Sequence, residues 1–185
     1  MIKELCQETR DRMVKSVQAL EKEMTRVRTG RATTTMLDGV KVDYYGTLTP
    51  LNQMASIAIP ESRLITIQPW DMSAIKEVEK GILKANLGLT PSSDGKIIRI
   101  SIPPLTEERR KDIAKTVHTI CEDFKVAVRN IRRDSNDTLK TLQKDGEISE
   151  DENFMAQKEV QEITDVFIRK IDGIFAAKEK EVLEI

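Results

Sequence analysis

The chain has 185 residues, of which 33% are charged and only 4% aromatic, with 30 Lys plus Arg against 31 Asp plus Glu for a net charge of −1. That balance suits long solvated helices and excludes an aromatic-rich β core. It also excludes a protein that coats nucleic acid through overall basicity, so any RNA binding must come from local segregation of charge.

From Ile2 to Val27, apolar residues recur at Ile2, Leu5, Met13, Val17, Leu20, Met24 and Val27, with Thr9 as a weak member. Steps of three and four are the helical period. They predict a rod of roughly 40 Å, stopped at Gly30. The pattern then changes. Val40, Val42 and Tyr44 alternate before a turn at Gly46, and Ile57 and Ile59 alternate up to Pro60. Leu64-Ile65-Thr66-Ile67 is a short β-branched run ended by Pro69, and Ile98, Ile100 and Ile102 alternate once more. These are short strands bounded by Gly and Pro. Ile75, Val78, Ile82 and Leu83 mark one helix between them, stopped near Gly88. Residues 31–104 therefore read as a small α+β domain, large enough to hold its own core.

Pro103-Pro104 closes the last strand, and Thr106 stands where a cap belongs, before Glu107 and Glu108 in a first helical turn. An apolar stripe runs through Ile113, Val117, Ile120, Phe124, Val128, Ile131, Leu139 and Leu142 to Gly146. Ser149 and Glu152 have the spacing of a capping box. A last helix follows, with Ala156, Val160, Ile163, Phe167, Ile171, Ile174 and Val182 inward. Three long amphipathic helices should pack as a bundle. Residues 1–30 and 105–185 then form a discontinuous three-helix bundle, and 31–104 an inserted β/α/β domain. Two brief crossings, at Gly30-Arg31 and at Pro104-Leu105-Thr106, should act as a hinge.

The second bundle helix carries the strongest chemical signal. Its helical period groups Lys125, Arg129, Arg132, Arg133 and Asn136 on one sector, read as roughly opposite the apolar stripe, with Asp123, Asn130, Asp134 and Asp137 beside them. Arginines three and four apart can fork onto neighbouring phosphates. The plainer reading is a solvated face of ion pairs such as Arg133 to Asp137. Against it, Arg129 and Arg132 have no acid three or four residues away on their own sector. A second basic group, Arg26, Arg28 and Arg31, surrounds Gly30, some 35 Å away by helical rise. A large RNA surface could use both.

Other candidates are weaker. Cys6 and Cys121 fall on or beside the apolar stripes and form no CxxC pair, and His118 is the only histidine, on a polar face. Neither a disulfide framework nor a metal site is expected. Trp70-Asp71 reads as a turn with Asp71 or Ser73 capping a helix, and Tyr44-Tyr45-Gly46 as a strand end and turn. No phosphate-binding glycine loop and no paired-carboxylate pocket is evident, so no catalytic residue and no cofactor is expected. No apolar run reaches about 18 residues, which leaves no membrane span. The N-terminus lacks the apolar stretch of a signal peptide, and a reducing cytoplasm is the expected compartment.

Several segments together resemble the ribosome recycling factor family: Arg28-Thr29-Gly30-Arg31-Ala32, Leu37-Asp38-Gly39, Tyr44-Tyr45-Gly46, Pro69-Trp70-Asp71, Leu87-Gly88-Leu89, Pro104 to Lys111, Val126 to Asp134 and Ile148-Ser149-Glu150-Asp151. They occur in the family's order and span almost the whole chain. The resemblance implies an L-shaped monomer that binds the post-termination ribosome, mainly through large-subunit rRNA. It implies action with elongation factor G and GTP to split the subunits for a new round of translation, with no hydrolysis by the chain itself. The family's RNA-contacting arginines carry over onto Arg28, Arg31, Arg129, Arg132 and Arg133; Lys125 joins them by its place on the helix. Thr34 stands where many members have proline, and Asn86 where Asp is common. Two rivals remain: a general module for structured RNA or protein built on a helical bundle, and an enzyme with a pocket in the small domain.

Overall fold

The structure, a computed structural model, describes residues 1–183. Among these, the chain divides into two compact units, one of Met1–Thr29 with Glu107–Leu183, the other of Gly30–Thr106.

The first unit is a three-helix bundle of α1 (Ile2–Arg26), α3 (Glu107–Lys144) and α4 (Glu150–Leu183). Each helix buries one stripe, as the period predicts. Met13, Leu20, Val117, Val128, Leu139, Val160 and Ile171 are fully or almost fully removed from water. Burying a side chain of this size contributes about 1.5–3 kcal/mol relative to exposure. The turn between α3 and α4 is specified locally. Glu147 N–H donates to Leu142 O and Gly146 N–H to Gln143 O, with Gly146 at φ 78, the paired bonds that close a helix at a left-handed residue. Ser149 then opens α4 with the reciprocal box expected of it. Its N–H donates to Glu152 Oε2 at 2.8 Å, and its Oγ accepts from Glu152 N–H at 3.2 Å.

Thr9, the weak member of the first stripe, is buried for a reason. Its hydroxyl lies 2.7 Å from that of Ser135 across the α1–α3 interface. Each hydroxyl is also within reach of a carbonyl one turn back, Leu5 O and Ile131 O. Two protons serve three contacts, so both polar groups stay satisfied inside an apolar seam. A slip of either helix would break the pair.

The second unit holds a four-stranded antiparallel sheet of order β3-β4-β6-β5, where β3 is Ala55–Glu61, β4 Leu64–Pro69, β5 Pro91–Ser93 and β6 Ile98–Ser101. A separate hairpin pairs β1 (Lys41–Tyr44) with β2 (Thr47–Pro50), and α2 spans Ile75–Lys84. Val42, Ile65, Ile67, Val78, Ile82, Ile98 and Ile100 form its core. Gly81 lets α2 close on β1: a Cβ there would stand 3.1 Å from both Lys41 O and a methyl of Val42. Tyr45 and Gly46 both adopt positive φ, 49° and 82°, the two-residue turn that matches strand twist. Asp71 caps the turn into α2 by accepting from Ser73 N–H at 2.9 Å.

The structure corrects three details. Leu83 is exposed, because it lies about 100° around α2 from Ile82 and off the stripe through Ile75 and Val78. Pro60 does not end its strand but sits within β3, where the register shifts between Ala58 and Glu61 on an edge that tolerates a missing donor. Strands β2 and β5 escaped the sequence reading altogether, since Thr47–Pro50 and Pro91–Ser93 carry almost no apolar alternation.

Candidate nucleic-acid interface

Helix α3 buries Ile113, Val117, Cys121, Val128, Ser135 and Leu139, and this row fixes what its flanks can face. Arg132 is four residues from Val128 and three from Ser135, hence only about 40° and 60° around the helix from buried positions. Lys125, a heptad earlier, follows the same line. The basic sector is therefore not opposite the core; its near edge lies along α4. The acidic sector lies on the other side, where Asp134 pairs with Arg12 of α1 at 2.7 Å.

The basic residues differ sharply in what holds them. Lys125 Nζ is 2.6 Å from Asp172 on α4 and 2.8 Å from Glu122 on its own helix, and its side chain is 16% exposed. Hydrogen bonding to Asp172 and then to Glu122 raises its pKa, and the same contact with Lys125 draws Glu122 below the usual glutamate range. One cation between two carboxylates has no positive charge left to offer, which removes Lys125 from the predicted anion-binding set. Arg132 is also half-buried, but its Nη1 donates to the neutral Gln161 Oε1 at 3.0 Å. Arg129 is exposed and makes no hydrogen bond or ion pair among the described residues. Arg133 is exposed and donates to Asn130 Oδ1 at 3.3 Å; the Arg133–Asp137 pair of the plainer reading is not formed, and Asp137 instead takes Lys140 at 3.4 Å. Asn136 is half-buried, with its Oδ1 buried and unpartnered.

At the end of α1, Arg26 is tied to Glu23 at 2.9 Å, whereas Arg28 is exposed and unpaired among the described residues. Between them and Gly30, Thr29 is buried and donates to Glu181 Oε1 of α4 at 2.8 Å, and Glu181 also pairs with Lys178 at 3.3 Å. Within the second unit, Gly30 takes φ 78, and Arg31 is half-buried with a buried, unpartnered Nε. Pro104 and Thr106 are exposed and Leu105 half-buried.

The remaining candidates have structural roles. Cys6 and Cys121 are buried and unpaired, and burial pushes both thiols up. His118 is exposed and meets Phe175 edge-on at 5.5 Å. Three carboxylates of the second unit are held below their ordinary range: Asp71 accepts from Ser73 and Tyr44, Asp94 from the N–H groups of Ile97 and Lys96 and from Arg99, and Glu77 pairs with Lys80 one turn on. Such shifts report capping and a helical ion pair rather than an acid–base pair. Among the described residues no group of three or more His, Cys, Asp or Glu could hold a metal ion, and no helix is long and apolar enough to cross a membrane.

The ribosome recycling factor profile matches residues 20–183. The chain is 84% identical over 185 residues to the ribosome-recycling factor of Desulforapulum autotrophicum and 57% identical over 185 residues to that of Geobacillus kaustophilus, covering 100% of both chains in each case. A solution structure of a ribosome recycling factor superimposes with TM-score 0.74 at 37% identity, covering 100% of this chain and 98% of that one. The T. thermophilus factor, bound with E. coli elongation factor G to the E. coli post-termination complex, gives TM-score 0.64 at 48% identity over 99% of each chain. The chain belongs to the ribosome recycling factor family.

Proposed function

We propose that this chain binds the post-termination ribosome through large-subunit rRNA and, with elongation factor G and GTP, promotes its dissociation into subunits. The observation that carries the reading is the likeness, over 99% of both chains, to the T. thermophilus factor bound with elongation factor G to a post-termination complex. The bundle supplies the chemistry such binding needs. Arg129, Arg132 and Arg133 line one flank of α3, and none is cancelled by a carboxylate among the described residues. Guanidinium groups suit this task because each presents a fork of donors to phosphate oxygens. Arg28 of the first unit and Arg31 of the second each add a contact of their own, and Lys125 is left out. Positions Gly30, Arg31, Pro104, Leu105 and Thr106 serve as the hinge, since they lie where the chain passes from one compact unit to the other. The chain acts as a cytoplasmic monomer and breaks no covalent bond; elongation factor G supplies the GTP-driven work.

The test is subunit splitting of post-termination ribosomes, followed by light scattering, with this protein, elongation factor G and GTP present together and each omitted in turn. Splitting that needs all three is the expected result. Tight binding to unrelated structured RNAs, with no dependence on elongation factor G, would favour the general interaction module instead.

A further inference from the structure

We propose that Gln161 is a positioning residue for RNA binding: its side-chain amide holds the Arg132 guanidinium in place without cancelling its charge. The inference rests on the reading of Arg132 as a phosphate contact. Arg132 Nη1 donates to Gln161 Oε1 at 3.0 Å, across the α3–α4 seam, and Gln161 Nε2 donates to Asp165 Oδ1 at 2.7 Å, one turn further along α4. These two bonds leave the amide a single orientation. An ionised carboxylate only accepts and a guanidinium only donates. Flipping the amide would set oxygen against oxygen on one side and N–H against N–H on the other.

The chemistry of the chain Asp165–Gln161–Arg132 is selective. Arginine gives one of its five N–H donors to Gln161 and keeps the other four for a ligand. Asp165 orients the amide, yet it forms no ion pair with Arg132 among the described residues. The carboxylate thus acts at one remove, and the guanidinium stays cationic. A free arginine side chain would lose much of its rotamer freedom on gripping a phosphate. Docking against α4 removes part of that loss beforehand, which is the general benefit of preorganisation. The sequence could not disclose this, because Gln161 lies 29 positions from Arg132 and on another helix.

The test measures affinity of the full-length protein for large ribosomal subunits over a salt series, with circular dichroism melts to confirm folding. The variants are Q161L, Q161E and R132A, together with Q161L and Q161E placed in the R132A background. Q161L removes the acceptor and keeps the charge. Affinity should fall about three- to tenfold, as the side-chain freedom that docking had removed beforehand is lost on binding instead, with the parent's salt slope. Q161E puts a carboxylate against the guanidinium, so affinity should fall further and the slope should flatten by about 0.7–0.9, as R132A itself should do. In the R132A background Q161L should be silent, and Q161E should keep only the small loss that an added acidic group brings. If R132A weakens binding while Q161L and Q161E behave like the parent, Gln161 is idle and only the role of Arg132 survives. Equal losses from Q161L with and without Arg132 would show that Gln161 acts through something else, and would overturn the proposal. Parental binding by R132A would remove the reading beneath it.

Discussion

Lys125 and Arg132 stand two turns apart on one edge of α3, both half-buried against α4, yet they are built for opposite ends. Lys125 meets two carboxylates, Glu122 and Asp172, and becomes part of the seam that joins the helices. Arg132 meets an amide and keeps its charge. A basic residue on a helix flank is therefore not defined by its own type or spacing. The residue opposite decides whether the charge is spent inside the protein or kept for a partner. Arg129 completes the pattern, because it lies further round the helix, exposed and unpaired among the described residues.

The largest effect should come from removing both retained charges. Arg129→Ala with Arg132→Ala should weaken ribosome binding about 100-fold or more, as expected for two charge-assisted contacts. It should slow subunit splitting at sub-saturating protein in proportion. Stability should fall by no more than about 1 kcal/mol, since only the Arg132–Gln161 bond is lost. A melting curve beside the binding isotherm separates the two outcomes.

Lys125→Met should invert that result. It leaves Glu122 and Asp172 without their cation, but they are 42% and 53% exposed, so water screens much of the cost. A loss of about 1 kcal/mol in urea unfolding is expected, with little change in ribosome affinity. The pH dependence has two signs. The raised pKa of Lys125 gives stability that is complete below the lysine value of the unfolded chain and fades as pH climbs through the folded one. The lowered pKa of Glu122 gives stability present above the unfolded glutamate value and lost as pH falls through the folded one. The difference between parent and variant should therefore be greatest between about pH 5 and 10 and shrink on either side.

The smallest effect belongs to the opposite flank. Asp134→Ala breaks an exposed pair with Arg12, whose stability worth is below about 0.5 kcal/mol. Ribosome binding should hold or tighten slightly, since an acidic group is removed. A marked loss of affinity would place the contact surface on the α1 side of α3.

What was legible in the sequence follows the range of the interaction. The three bundle helices were plain from apolar period alone, and the Ser149–Glu152 box from its spacing of three residues, whereas the sequence left Asp71 and Ser73 as alternative caps and the structure gives the role to Asp71. Glu122 stands only three residues before Lys125 on the same helix, yet the sequence reading did not pair the two. Asp172 was out of view: it lies on α4, and nothing in the run around Lys125 points to it. The same holds for Gln161 beside Arg132, and for Glu181 beside Thr29, which is 152 positions distant. Reading α3 by itself placed its basic sector opposite the core, because a single helix does not reveal how wide a wedge its two neighbours occupy. Strands β2 and β5 were missed for a different reason, being held by pairing to apolar partners while contributing little apolar surface themselves.

The most direct test sets Lys125→Met against Arg132→Ala in one experiment, measuring affinity for large ribosomal subunits from low to high salt. Every retained cation that neutralises a phosphate adds about 0.7–0.9 to the slope of log affinity on log salt. Arg132→Ala should flatten the slope by that amount, whereas Lys125→Met should leave it unchanged although the bundle melts earlier. Equal flattening by the two substitutions would mean that Lys125 reaches the RNA despite its two carboxylates, and would contradict the division of charge described for α3.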